Sequence, residues 1–459
     1  MILKMKYDES DDGDDEDTIE QFSEVRGKLA SFQDSIMVLN ETLALEVMID
    51  CINDFLFSPN AAASGWRTIE LGLYQLNHYS EVLRNNVMNL PKTMINNSRP
   101  YFVFNEMLCK VIDSSTSILI SHPLIQLLFF ELVLKHYKFF NNSHIQVEGV
   151  NKDEILLKVL KIFVSNFGVF SDNEKVKDRS WYLFYRFIKL TKPNVDDFIT
   201  KELINSLLPL LTFNFANINV KSQQLTNEID LKDVEDDSGF EQQLYLFESI
   251  GLLITLVKNP QEKIDMFESA LQPLFSNLES CIGQISSGLN ITTVIQVHHS
   301  LSSIGTILKG FEGLPPQEFG PKIVSVLQQV SQVVLITLES FIDFNIVREA
   351  SQFCIVRLFI LLVKLPNQDQ QNITGDVLSK FIATIMNNFD KLKMSELVDL
   401  LNFVSQICHN GYNSQSIYIM LNTLLTPLIG KVIDRTERES ASATDDFQRR
   451  DVLDLQQRP

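Results

Sequence analysis

Apolar residues recur every three or four positions along most of this chain, which is the spacing of amphipathic helices. The clearest example is residues 171–193, SDNEKVKDRSWYLFYRFIKLTKP. Ser171 and Glu174 have the spacing of a capping box, which predicts a helix start, and Pro193 predicts its end. On a helix the apolar residues of this segment share one side; they are Val176, Leu183, Phe184, Phe187, Ile188 and Leu190.

Similar segments flank this helix. Residues 151–170 predict a partner helix joined by a very short turn, and residues 198–213 predict the next helix. Two helices in about 40 residues, with Val-Lys-x-Arg near the start of the second, are typical of HEAT-type repeats. We therefore predict an all-α protein, a HEAT-repeat α-solenoid in which antiparallel helix pairs stack into a superhelical array.

The other predicted helices continue this series, and Pro260, Pro315, Pro316 and Pro366 fall in the gaps between them. They are residues 18–38, 39–56, 66–84, 101–120, 123–140, 241–257, 261–285, 292–309, 320–340, 345–363, 374–389, 393–408 and 414–433. No run alternates apolar and polar residues as a half-buried strand does.

The domain prediction follows from these segments. Residues 1–17 predict an acidic flexible segment, and residues 18–440 predict a continuous solenoid with an exposed insertion near 214–238. Residues 441–459 predict an unpaired or frayed carboxyl-terminal segment. Because neither end shows an obvious capping repeat, we expect the chain to be part of a longer solenoid.

The composition suits many buried helix seams, since 45% of the residues are hydrophobic and 32 are Phe. The most apolar run, residues 118–133, is interrupted by His122, Pro123 and Glu131, so we predict no membrane span. The first residues lack the pattern of a signal peptide, and the five cysteines are scattered without a CxxC pair. We expect a soluble, intracellular protein with buried, inert thiols.

The formal net charge is -19, and the acidic run YDESDDGDDED at residues 7–17 supplies eight of those charges. Such a run predicts a solvated loop, or alternatively a contact for a basic partner protein. The acidic balance disfavours indiscriminate binding to nucleic acid. Any RNA contact is therefore predicted to come from local basic patches.

Two basic stripes are candidate surfaces for contact with an RNA backbone. The first lies on the polar side of the helix at 171–193 and comprises Lys175, Arg179, Tyr182, Arg186 and Lys189. The second comprises Lys431, Arg435 and Arg438, at i, i+4 and i+7. On inner helices of a solenoid such rows could follow a phosphate backbone, while the alternative is an ordinary solvated face. Trp181, at the edge of the apolar side, is interpreted as a packing residue.

The sequence contains no phosphate loop, no dinucleotide fingerprint, no HExxH and no nucleophile elbow. His298 and His299 are adjacent, so they point about 100° apart on a helix and are not spaced to share a metal. Cys408 and His409 have the same spacing. We predict no enzymatic activity, no metal site and no cofactor.

With its segments laid out in order, the chain resembles the exportin-T family, the tRNA exportins of the importin-β (karyopherin) superfamily. The resemblance runs through most of the chain. It is carried by DDEDTIEQFSEVRGKL at 14–29, VKDRSWYLFYRFIKL at 176–190, LYLFESIGLLI at 244–254 with NPQEK at 259–263, and MLNTLLTPLIGKV at 420–432 with the arginines of 437–450.

The resemblance implies a HEAT superhelix that wraps mature tRNA in the nucleus together with Ran-GTP, passes the nuclear pore, and releases tRNA when GTP is hydrolysed in the cytoplasm. The implied partners are tRNA, Ran-GTP and nuclear pore proteins, with no membrane and no DNA. The family reads tRNA largely by shape and backbone, as expected for duplex RNA. The contact residues for Ran are not assigned.

The chain departs from the family pattern in lacking the amino-terminal repeats that carry the main GTPase contact and the carboxyl-terminal arch. We expect a central fragment. Two alternatives stay open, a karyopherin with a protein cargo, which the acidic surface would suit, and a HEAT scaffold unconnected with nuclear transport.

Overall fold

A computed structural model of the chain describes residues 1–13, 15–59, 61, 65–87, 98–120, 122–142, 145–213, 218–220, 225–236, 239–365, 368–411 and 414–442. Helices account for nearly all regular structure in these residues. The chain divides into two compact units, Met1–Ile199 and Thr200–Pro459, which are described separately.

The helices of the first unit pack as two layers. They are α1 (Glu16–Leu39), α2 (Glu41–Leu56), α3 (Trp66–Val87), α4 (Arg99–Asp113), α5 (Ser115–Leu119), α6 (Pro123–Lys135), α7 (Lys138–Asn141), α8 (Lys152–Phe163) and α9 (Glu174–Thr191). The helices α3, α6 and α9 lie side by side in one layer, while α2 and α4 pack against α3, and α8 packs against α4. The next helix, α10 (Asp197–Leu207), contains the division between the units.

The second unit repeats this arrangement. Its further helices are α11 (Phe240–Leu256), α12 (Pro260–Gly283), α13 (Ile291–Phe311), α14 (Pro321–Ser340), α15 (Asn345–Leu362), α16 (Gln368–Asn387), α17 (Met394–Gly411) and α18 (Gln415–Ser442). One layer contains α11, α13 and α15, and the other contains α12, α14, α16 and α18. The predicted all-α, HEAT-type helix array is confirmed.

The core of the first unit is built around phenylalanines contributed by three helices. Phe130 on α6 stacks on Phe163 on α8 with ring centroids 4.2 Å apart, and Phe163 also lies 5.3 Å from Phe187 on α9. The apolar side predicted for α9 is buried at five of its six positions, and Leu190 is half-buried. The helical period of the sequence therefore identified the buried face.

The predicted helix start at Ser171 is wrong. The helix begins at Glu174, and its N-cap is Asn173, whose side-chain oxygen accepts from the Val176 backbone N–H at 3.1 Å. Ser171 belongs to the preceding turn, because its backbone N–H donates to the Gly168 carbonyl oxygen at 2.9 Å. Asn is as favourable an N-cap residue as Ser, and the observed N-cap lies two residues after the predicted one.

The acidic segment is anchored through its backbone. The Arg67 Nε atom donates to the Asp8 carbonyl oxygen at 2.8 Å, and the ring of His122, stacked on Trp66, lies 3.0 Å from the Asp12 carbonyl oxygen. Tyr7 is buried beside Trp66. Residues more than fifty positions away thus contact the backbone of this segment, while most of its described carboxylates stay exposed, and its flexibility stays a prediction.

A short ribbon lies in the predicted insertion, although the sequence predicted no strand. Strand β1 (Ile218–Val220) pairs antiparallel with β2 (Val234–Asp236), with Asn219 opposite Glu235. Nearby, the Asn345 side chain accepts from the Ile229 N–H at 2.8 Å and donates to its carbonyl oxygen at 3.0 Å. Both strands have three residues, too few to show an alternating pattern in the sequence.

Among the residues that the structure describes, two helices are long and apolar enough to cross a membrane by length and composition, Pro321–Ser340 and Gln415–Glu439. The first is more than half buried in the second unit, as core helices of this composition are. The sequence had singled out residues 118–133 instead, of which 118–119 lie in α5 and 123–133 in α6. The predicted segment 441–459 lies outside the described residues beyond Ser442, and the continuity of the array over 18–440 stays a prediction.

Candidate nucleic-acid interface

The polar face of α9 carries the first group of predicted RNA-binding residues. Its four cations are exposed and Tyr182 is half-buried. Behind them, the helix is held by its buried apolar side and by Trp181, whose Nε1 donates to the Val169 carbonyl oxygen at 3.0 Å. Trp181 is therefore a packing residue, as predicted. The face presents a row of cations, Lys175, Arg179, Arg186 and Lys189, on a firmly supported helix.

The amino-terminal half of this row faces acidic side chains. Arg179 Nη2 lies 2.9 Å from Glu131 Oε1 on α6, and both side chains are about half exposed. Hydrogen bonds from the Thr18 hydroxyl and backbone lower the pKa of Asp15, and the nearby charge of Lys175 lowers it further. A phosphate group approaching Arg179 or Lys175 would therefore compete with a carboxylate that is already present.

The carboxyl-terminal half of the row is held by tyrosines. Arg186 Nη1 donates to the Tyr182 hydroxyl oxygen at 3.3 Å, and Lys189 Nζ donates to the Tyr185 hydroxyl oxygen at 2.7 Å. Within the described residues, neither cation has a carboxylate partner. These two positive charges are available to an anionic ligand without displacing an acid.

The second predicted group lies on α18 and contacts the connection between α16 and α17. Lys431 Nζ donates to the Met386 carbonyl oxygen at 2.7 Å. Arg435 donates from Nη1 to the Asp390 carbonyl oxygen at 3.3 Å and from Nη2 to the Leu392 carbonyl oxygen at 3.2 Å. Arg438 lies 3.8 Å from a carboxylate oxygen of Asp390. Lys431 and Arg435 thus satisfy backbone oxygens at and just after the end of α16.

Sequence reasoning missed two residues that shape the α9 face. Glu131 lies 48 positions before Arg179, so nothing local in the sequence pairs them. Tyr185 is buried and points its hydroxyl toward Lys189. Its place four residues before a lysine is the signal that could have identified it, because side chains at i and i+4 meet on a helix.

The histidine pair belongs to the packing of the second unit. His299 is buried and stacks on Phe240 with ring centroids 3.6 Å apart. The rings of His298 and His299 nevertheless turn toward each other, with their Nδ1 atoms 3.1 Å apart, which the divergence of the two Cβ directions did not predict. No group of three or more potential metal ligands occurs in the residues that the structure describes.

Three of the five cysteines are buried, and burial raises the pKa of Cys281 to about 11. Such a thiol stays protonated and unreactive at neutral pH. Cys51 is partly buried, but Cys408 is exposed, so the prediction of buried thiols is wrong at that position. Cys408 occupies an exposed position on α17.

Comparison with known proteins identifies the family. The exportin-T family model matches residues 1–456. Exportin-T of Candida albicans is 41% identical over 439 residues, covering 94% of this chain and 41% of that protein. Exportin-T of Debaryomyces hansenii is 41% identical over 437 residues, with the same coverage. Exportin-T of Saccharomyces cerevisiae is 33% identical over 460 residues, covering 94% of this chain and 40% of that protein.

The chain thus spans about two fifths of the length of the curated relatives that it matches. Within that length the match includes the helix that carries the cationic row, the acidic amino-terminal segment and all of the described helices of both units. Since a family model accounts for almost every residue, the chain belongs to the exportin-T family.

Proposed function

We propose that this chain is part of a nuclear export receptor that binds tRNA together with Ran-GTP and carries it through the nuclear pore. The observation that carries the proposal is the family match over residues 1–456. The receptor would shuttle between nucleus and cytoplasm, contact nuclear pore proteins, and need neither a cofactor nor an enzymatic step of its own. Which residues contact Ran or the pore proteins is not assigned.

Within this function, we assign the main RNA contact to the carboxyl-terminal half of the α9 face. Arg186 and Lys189 support this because no carboxylate pairs with them in the described residues. Lys175, Arg179 and Tyr182 would form the flank of the same surface. Duplex RNA is recognised chiefly through its phosphates and 2′-hydroxyls, and two fixed, adjacent cations suit that recognition.

The second group, Lys431, Arg435 and Arg438, is a weaker candidate for RNA contact. Lys431 and Arg435 donate to backbone carbonyl oxygens of α16 and of its connection to α17, and Arg438 donates to the Asp434 carbonyl oxygen on its own helix. Binding a phosphate would cost those hydrogen bonds. We infer that Lys431 and Arg435 mainly stabilise the end of α16 and its connection to α17.

The test is a salt titration of tRNA binding to the whole chain. Neutralising both cations in the Arg186→Gln/Lys189→Gln variant should weaken binding at low salt. It should also reduce the slope of log affinity against log salt by about 1.4 to 1.8, since each neutralised phosphate contributes about 0.7 to 0.9.

A matched control is the Lys110→Gln/Lys158→Gln variant. It removes the same charge from the first unit, but at exposed lysines that pair with Glu106 and Asp113 on α4. This control should keep the wild-type slope. Equal slopes for all three proteins would show that the α9 face does not bind tRNA.

The net charge of -19 favours one alternative, a karyopherin that carries a basic protein. Two binding experiments separate the possibilities. Capture of Ran locked in its GTP state, with protection of labelled tRNA, supports tRNA export. Ran capture without tRNA protection supports a protein cargo, and the absence of both in a full-length exportin-T that contains this segment would leave a HEAT scaffold.

A further inference from the structure

Two tyrosine–cation hydrogen bonds lie next to each other on α9, each between residues four positions apart. Tyr182 accepts from Arg186 at 3.3 Å and Tyr185 accepts from Lys189 at 2.7 Å. Each cation also lies over the ring that it bonds to, at 5.9 Å and 5.2 Å from the ring centroid. The two pairs share the i, i+4 spacing, and the second pair lies three residues further along the helix.

The two rings are themselves well fixed. Tyr185 is buried in the first unit, with only about 6% of its surface exposed. Tyr182 is half-buried, and Arg179 lies over its ring at 5.2 Å from one turn earlier while Arg186 lies over it from one turn later. Because guanidinium groups cover the Tyr182 ring, it is poorly placed to stack on a nucleotide base.

A tyrosine partner differs from a carboxylate partner in one physical respect. Both accept a hydrogen bond and restrict a long, flexible side chain, but only the carboxylate cancels its charge. Arg179, paired with Glu131, is oriented and partly neutralised. Arg186 and Lys189 are oriented by neutral oxygens, so they keep their full positive charge for an anionic ligand. Side chains that are already ordered lose less entropy when the ligand arrives.

We propose that Tyr182 and Tyr185 are positioning residues for a phosphate clamp formed by Arg186 and Lys189. The ligand class is the sugar–phosphate backbone of an RNA duplex, with neighbouring phosphates of one strand contacting the two cations. Residues three apart on a helix have Cβ atoms about 5–6 Å apart, which brings the two cations to one place on the face. This proposal rests on the proposed tRNA-binding function and deepens it.

The test removes one hydroxyl group at a time from the whole chain. In Tyr182→Phe and Tyr185→Phe the rings and every charge stay, but the cations lose their acceptor. Each variant should bind tRNA about two- to fivefold more weakly, and the salt slope should stay at the wild-type value because the number of cations is unchanged. Tyr418→Phe is the control, since Tyr418 is an exposed tyrosine on α18 that should tolerate the change.

The outcomes separate the two proposals. If Arg186→Gln/Lys189→Gln leaves tRNA binding unchanged, the α9 face is not an RNA site and both proposals fail. If that variant loses slope while both Phe variants bind as the wild type does, only the positioning role is overturned. A Phe variant that lowers the slope also contradicts it. If Tyr185→Phe lowers the melting temperature, the half-buried Tyr182 alone decides the question.

Discussion

Two glycines allow a close helix contact in the second unit. A Cβ atom added at Gly251 on α11 would run into the Ile307 carbonyl oxygen on α13. One added at Gly310 on α13 would lie 2.6 Å from the Glu248 carbonyl oxygen and the Leu252 nitrogen on α11. Backbone atoms of packed helices have little room to yield, so the absence of side chains at these positions sets the spacing of that layer.

We predict that Gly251→Ala destabilises the second unit by about 1–3 kcal/mol, because the methyl group forces two helix backbones apart. The control is Gly27→Ala on α1, where nothing lies within 4 Å of the added atom. There alanine should stabilise by up to about 1 kcal/mol through its helix propensity. Urea unfolding followed by circular dichroism measures both, and equal stability of the wild type and Gly251→Ala would contradict the argument.

His136 gives the first unit a pH-dependent stability. Burial lowers the pKa of its imidazole from 6.5 to about 3, with a further contribution from Lys135, and its ring packs against Phe104. As the pH falls below 6.5, the unfolded chain takes up a proton that the folded unit excludes. Stability should therefore be full above pH 6.5 and fall by up to about 1.4 kcal/mol per pH unit toward pH 3.

This prediction is checked with His136→Leu, whose unfolding midpoint should depend less on pH between 7 and 5 than that of the wild type. Both tryptophans, Trp66 and Trp181, lie in the first unit, so their fluorescence follows that unit. His409→Gln, at an exposed histidine in the second unit, is the control and should retain the wild-type dependence. Parallel pH curves for wild type and His136→Leu would exclude the mechanism.

Among the helices, α9 shows what the sequence could predict and what it could not. Its apolar period located the buried face, and the proline at 193 located its end to within two residues, since the helix ends at Thr191. The start was misplaced because Ser171 and Asn173 are both good caps, and only the turn before the helix decides between them. The cations were found, but their partners were not, because Glu131 is distant in sequence.

The contacts of the acidic segment and the pairing of the ribbon were not predicted, for the same physical reason. Arg67 and His122 hold the acidic segment by contacts with backbone oxygens, which any residue type provides. The strands of the ribbon are three residues long, and their pairing joins positions up to 18 residues apart, Ile218 with Asp236. Neither kind of contact leaves a local pattern of hydrophobic and polar residues.

The basic residues of α18 support a prediction about that element. Arg435→Gln should loosen the connection between α16 and α17 by about 1–2 kcal/mol, since two hydrogen bonds from a charged group are lost. It should leave the salt slope of tRNA binding unchanged. Faster amide hydrogen exchange in residues 386–396 would register the loosening, and Arg438→Gln, whose side chain is 67% exposed, should exchange as the wild type does.

For the whole molecule, the helix periodicity was enough to predict the fold class, and the order of several short segments was enough to predict the family. Composition predicted an acidic protein in which any RNA contact is local. The structure separates Arg179, which pairs with Glu131, from Arg186 and Lys189, which have no carboxylate partner in the described residues, and we propose the RNA contact at the latter two. This distinction depends on distances across the layers. The division into two units was not predicted, because the sequence between α9 and α11 has no Gly-rich or Pro-rich linker.

The pair of hydrogen bonds between Asn345 and Ile229 has a practical consequence. The Asn345 side chain accepts from the N–H of Ile229 and donates to its carbonyl oxygen. These two hydrogen bonds tie the long connection before α11 to the start of α15. Extra residues inserted after Val220 would lengthen the connection before Ile229 and leave its hydrogen bonds with Asn345 in place. A fluorophore or epitope placed there should label the protein without disturbing either helix.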